Sequence, residues 1–153
     1  KIMGLAKDAP HKDITFRIIG AAMAVHNEHG PGHREEFYQR GLMLTMPKPP
    51  HDLDFEDEYE LPVYNADGQL IYTYRVDFFV AKLVLVEIKA HHQPLNKDEE
   101  AQVLDYFAAS DAQVALLFNF GRPRLEWQRL FPPKHIQAQR RIKWGQQPKP
   151  QEK

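Results

Sequence analysis

The stretch Arg75 to Ala90, RVDFFVAKLVLVEIKA, limits the fold more than any other part of the chain. Its near-continuous Val, Leu, Ile and Phe suit two buried sheet strands joined by a tight turn at Ala81-Lys82. Yet it holds Asp77, Glu87 and Lys89, residue types rarely buried without a partner. In a strand, Glu87 and Lys89 leave one face and Ile88 the other. If the hairpin turns about Lys82, Asp77 and Glu87 are equidistant from the turn and face each other with Cβ atoms about 5 Å apart. Facing carboxylates repel unless a proton or cation lies between them, and adjacent oxygens are the donors a hard ion such as Mg²⁺ prefers. A lysine on that face would orient a water or help to deprotonate it. On composition alone the plainer reading is a salt bridge from Lys89 to one acid, with the other acid in solvent.

The flanking sequence surrounds this hairpin with helices. Asp13 is a plausible N-cap, and Ile14, Ile18, Ile19, Ala22 and Val25 recur at helical spacing until Gly30-Pro31-Gly32, giving a helix over 13–29. A second helix starts after Gly32, carries Glu35, Tyr38 and Leu42 on one face, and ends at the three prolines of MPKPP. YELPVY and QLIYTYRVDFFV read as strands about the Asn65 to Gly68 turn. The acids of DEEAQVLDYFAAS suit a helix N-terminus and predict a helix over 97–109. AQVALLFNF is an apolar strand and RLEWQRLF a last one, at an edge. The order predicts an α/β or α+β fold around a mixed sheet.

A chain of 153 residues is most simply one domain: an extension over 1–12, a core over 13–131 and a basic Pro/Gln-rich tail over 132–153. Residues 1–120 carry 11 Lys/Arg against 19 Asp/Glu, net −8, whereas residues 121–153 carry 9 against 2, net +7. Such a tail either steers the protein to a polyanion or is simply solvated and disordered. No apolar run suits a membrane span or a signal peptide, so a cytoplasmic protein with no membrane partner is expected. Without cysteine, any metal must be held by oxygen or imidazole. Neither GxxxxGK[ST] nor GxGxxG occurs, and Ser110, the only serine, lacks a nucleophile-elbow context, which disfavours ATP-driven and serine-hydrolase chemistry.

The spacing D77-x9-E87-I-K89 resembles the D…(D/E)xK signature of the PD-(D/E)XK nuclease superfamily. Gln102 and Tyr106, four apart on the next helix, resemble the QxxxY motif of its RecB-type and lambda-exonuclease-like members. Gly32-His33-Arg34-Glu35-Glu36-Phe37-Tyr38 is similar to the pattern that names the uncharacterised bacterial GxxExxY proteins, and NFGRPRLEWQRL resembles their closing stretch, so the likeness covers residues 12–131. The loop MPKPPHDLDFED is longer and richer in proline than that family's usual link.

The resemblance implies a restriction-endonuclease-like core that hydrolyses phosphodiester bonds of nucleic acid, DNA more than RNA. Asp77 and Glu87 would bind Mg²⁺ or Mn²⁺, Glu35 would be a further ligand or an orienting group, and Lys89 would position the attacking water. Gln102 and Tyr106 would position substrate or water. His26 would match an early-helix ligand of some RecB-like enzymes, although a core histidine is the blander reading. Tyr38 reads first as core packing, and His91-His92 as solvated. The alternative is a catalytically weak or inactive nuclease-fold domain that binds nucleic acid or a protein partner. Leu125, Trp127 and Phe131 at the expected edge would also serve a homodimer.

Overall fold

The computed structural model describes residues 9–146, with side chains through residue 140. Helices α1 (Lys12–His29) and α2 (Glu35–Thr45) come first. Strands β1 (Phe55–Tyr64), β2 (Leu70–Val80) and β3 (Val84–Lys89) follow, then α3 (Lys97–Ala108), β4 (Val114–Asn119), β5 (Glu126–Leu130) and α4 (Lys134–Gln146). The five strands form one sheet in the order β1-β2-β3-β4-β5, antiparallel except for the parallel β3/β4 pair that α3 connects. The mixed α+β architecture expected from the sequence is therefore present. Among the described residues no helix is long and apolar enough to cross a membrane.

Both faces of the central strands are covered. On one side Ile18, Val25, Leu42 and Met46 of α1, α2 and the loop after them pack on Val84, Val86 and Ile88 of β3 and on Leu116 and Phe118 of β4. On the other, Val103, Tyr106 and Phe107 of α3 and Ile136 of α4 cover Leu85, Ala115 and Leu117. The alternation along VLVEIK therefore sends Glu87 and Lys89 toward α3, among the apolar side chains of that layer.

The β2–β3 hairpin turns through Ala81-Lys82, both with positive φ (54° and 56°), and Leu83 N–H donates to the Val80 carbonyl at 3.0 Å. The resulting register pairs Val80 with Val84 and Phe78 with Val86, as a turn centred on Lys82 requires. Asn96 caps α3 in a reciprocal capping box with Glu99 (2.9 and 3.0 Å), which fixes where the helix begins relative to β3.

Residues 134–146 depart from the expected tail by forming α4. Ile136 is buried against the α3 layer, and the Arg140 guanidinium donates to the carbonyls of Ser110 and Ala112 at 2.9 and 2.8 Å. Part of the basic charge is thus spent on carbonyls after α3, because a long cationic side chain is suited to orphan helix-terminal acceptors. Residues 147–153 of that segment and residues 1–8 of the N-terminal extension lie outside the described residues.

Candidate functional site

Strands β2 and β3 stop pairing one rung short of the two acids, after Phe78 and Val86. There the side chains take over the ladder: Asp77 N–H donates to Glu87 Oε1 at 3.2 Å, and Ile88 N–H donates to Asp77 Oδ2 at 2.7 Å. Each carboxylate is anchored on the opposite strand, which brings the two together in a half-open fork. Glu87 is only 7% exposed. Burial, then the neighbouring Asp77 charge, pushes its carboxyl up to about 8 even with Lys89 close by. Burial likewise raises Asp77 to about 6 against the opposing Ile88 N–H bond, and the charges of Glu35 and Glu58 add to the rise.

Lys89 Nζ lies 3.7 Å from Glu87 Oε2 and donates to Gln102 Oε1 at 3.0 Å. Tyr106 Oη donates to Glu87 Oε2 at 3.2 Å. Burial and the Glu87 charge raise the tyrosine pKa, which keeps it a donor. The spacing is a register match: four residues of helix advance about 6 Å and two residues of strand about 6.6 Å, so Gln102 and Tyr106 meet Lys89 and Glu87 in antiparallel order. The five residues Asp77, Glu87, Lys89, Gln102 and Tyr106 therefore form one connected cluster.

The other sequence candidates are placed differently. Glu35 opens α2, is exposed, and acts on Asp77 through its charge. His26 is buried, and its Nε2 donates to the Arg122 carbonyl at 3.0 Å beside the Phe120 ring, tying α1 to the loop after β4. Tyr38 is fully buried, stacks on Phe120 with centroids 4.6 Å apart, donates to the Gly30 carbonyl at 2.6 Å and accepts from His33 N–H. It pins the Gly30 to His33 turn, in which both glycines have positive φ (67° and 104°).

Three features escaped sequence reasoning. Glu58 has φ 49° at the point where β1 lacks a rung with Asp77, and it accepts from Gln39 Nε2 at 2.9 Å. His91, expected to be solvated, is held by the Gln93 carbonyl and Glu99 Oε2, both at 2.7 Å from its ring nitrogens. Burial disfavours the imidazolium, yet these two acceptors prevail and its pKa is raised. Asn119, fully buried at the end of β4, accepts from His91 N–H and Gly121 N–H and donates to the Gln93 carbonyl. An open depression of about 590 Å³ lined by His91, Gln93, Asn96, Asp98, Glu99 and Gln102 lies beside the lysine.

Gly121 allows this approach of β4 to the end of β3, for an added Cβ would lie 2.4 Å from His91 N and 2.5 Å from His91 O. Backbone cannot yield as a flexible side chain can. Gly121→Ala is expected to lower stability by about 2 kcal/mol, measured by urea unfolding. An unchanged midpoint would mean that the His91 loop is not held as described.

Among the described residues no three His, Asp or Glu side chains converge at metal-ligand distance. The donors at the fork nonetheless suit a hard divalent cation: two converging carboxylates, short of positive charge, with Asp77 Oδ1 accepting no hydrogen bond from the described residues.

A mixed sheet flanked by helices, with paired acids and a lysine at a fork between adjacent strands, is the core of a nuclease-like α+β protein. Residues 12–130 match the PD-(D/E)XK nuclease superfamily, and the chain belongs to that superfamily. A solved structure described as "Crystal structure of SSO0001" is similar at 18% identity and a TM-score of 0.49, covering 87% of this chain, which spans 63% of that one. No curated protein matches the sequence.

Proposed function

We propose that the protein is a divalent-cation-dependent nuclease that hydrolyses phosphodiester bonds, DNA in preference to RNA, and that it belongs among the GxxExxY proteins. The observation that carries this reading is the fork itself: two carboxylates crossed onto each other's strands, with an amine 3.7 Å away that α3 holds in place. Asp77 and Glu87 would hold Mg²⁺ or Mn²⁺, with Glu35 as an outer or further ligand. When bound, the cation neutralises the acids, polarises the phosphate and lowers the pKa of a water.

The remaining work falls to the chain's own groups. Lys89 donates to the attacking water or to charge developing on phosphate oxygen, and Gln102 fixes its direction. Tyr106 holds Glu87 by one oxygen and so sets the carboxylate's rotation. The buried acids explain themselves in this reading, since an anionic substrate can approach them only after a cation has.

Titration calorimetry with Mn²⁺ and Mg²⁺, followed by cleavage of mixed single- and double-stranded DNA and RNA, tests the proposal. The parent is expected to bind metal and cleave. Lys89→Ala is expected to retain metal binding while losing about 10²-fold or more in cleavage rate. A folded parent that binds no cation, or a Lys89→Ala protein that cleaves at the parental rate, would overturn it.

A further inference from the structure

Pairing of β2 with β3 begins only at Phe78, so Leu70 to Arg75 has β1 as its one strand partner and projects past the sheet as a two-stranded arm. Along its α3 side runs an aromatic row. The Tyr72 and Tyr74 rings meet edge to face with centroids 4.9 Å apart, and Tyr74 meets Tyr106 in the same manner at 5.9 Å. Tyr106 in turn donates to Glu87. An uninterrupted line of rings therefore leads from the acid fork to Tyr72, which is 58% exposed.

We propose that Tyr72 and Tyr74 form a stacking platform for unpaired bases, which makes single-stranded nucleic acid the substrate class of the adjacent site. This rests on the nuclease reading above and adds the form of the strand. In a duplex the base faces are covered by their neighbours at about 3.4 Å, so rings beside a cleavage site can meet base faces only when the strand is unpaired. The strand spacing of about 6.6 Å closes to 4.9 Å between the two rings, which meet edge to face, so the pair would take a splayed base on the exposed Tyr72 ring with Tyr74 behind it. Every base offers a π-face, so such a platform tolerates sequence. Continuity with the acid fork argues against the arm being merely a patch for a second copy. Arg75 and Glu60 on the arm pair with each other at 3.4 Å, and the charge acting on Tyr74 is that of Asp105, so the contact would draw little on phosphate attraction.

The test uses Asp77→Asn protein, so that substrate survives, and labelled oligothymidine as a single strand or paired with oligoadenosine, followed by fluorescence anisotropy. Adding Tyr72→Ala is expected to weaken single-strand binding about 5- to 100-fold, with a ratio that salt does not change, and to leave duplex binding and the melting temperature unaltered. Tyr72→Phe is expected to bind like its parent. Equal single-strand affinity of the alanine protein, tighter binding of duplex than of single strand, no binding of either, or a change of oligomeric state on size exclusion would each overturn the platform. Cleavage by the unsubstituted protein reports the nuclease reading separately: cleavage confined to duplex ends the platform alone, and Tyr72-dependent binding without cleavage ends the nuclease reading alone.

Discussion

Asp77→Asn is expected to lower metal-dependent cleavage by about 10³-fold and to flatten the Mn²⁺ calorimetric isotherm. The substitution keeps the shape of the fork, because an amide oxygen can still accept the Ile88 N–H at the Oδ2 position. What it removes is the charge that would draw a cation between the strands. An unaltered circular dichroism spectrum would exclude misfolding as the cause. Cleavage within tenfold of the parent, with metal still bound, would show that the acid pair is not where the cation sits.

Glu87→Gln should raise stability at alkaline pH. The Glu87 carboxyl sits at about 8 in the folded chain, against about 4.3 unfolded, and Asp77 at about 6 against about 3.9. Between these values the folded state holds protons that the unfolded state has released, so stability is highest below about pH 4 as far as these groups are concerned. It falls as pH rises toward 8. In EDTA, the parent should therefore lose stability from pH 5 to pH 8, and Glu87→Gln should remove most of that slope. At pH 8 the variant is expected to be more stable by about 3 kcal/mol, an increase of several degrees in melting temperature. A variant that melts below the parent at pH 8 in EDTA would refute the burial of the Glu87 charge, beside that of Asp77, as the source of the slope. Divalent cation should restore the parent and have little effect on the variant.

How much of this could be read from the chain follows from the reach of each interaction. The Asp77/Glu87 juxtaposition needs only a turn centre and a period of two, both local, and the turn at Ala81-Lys82 has that centre. The start of α3 was visible in its acidic first turn, and its Asn96 cap completes the signal. Gln102 and Tyr106 were recognisable as a motif, but their partners were not, because pairing Gln102 with Lys89 and Tyr106 with Glu87 depends on how α3 lies on β3. Asn119 and Gly121 act through contacts with residues roughly thirty positions earlier, which no periodicity reveals. Helix α4 was hidden by Pro and Gln content, although Ile136 and Arg140, four apart, mark its docking side. Tyr38 shows the reverse case: the motif was legible, and its hydroxyl proves to hold a glycine turn.

The five clustered side chains come from one uninterrupted run of sequence, Asp77 to Tyr106, carried by β2, β3 and α3. The arm that carries Tyr72 and Tyr74, the long link before β1 and the C-terminal helix all lie outside that run. Because the spacing of the five side chains is set within that run, insertions or exchanges in the outer parts can reshape the surroundings of the cluster and leave its geometry as it is.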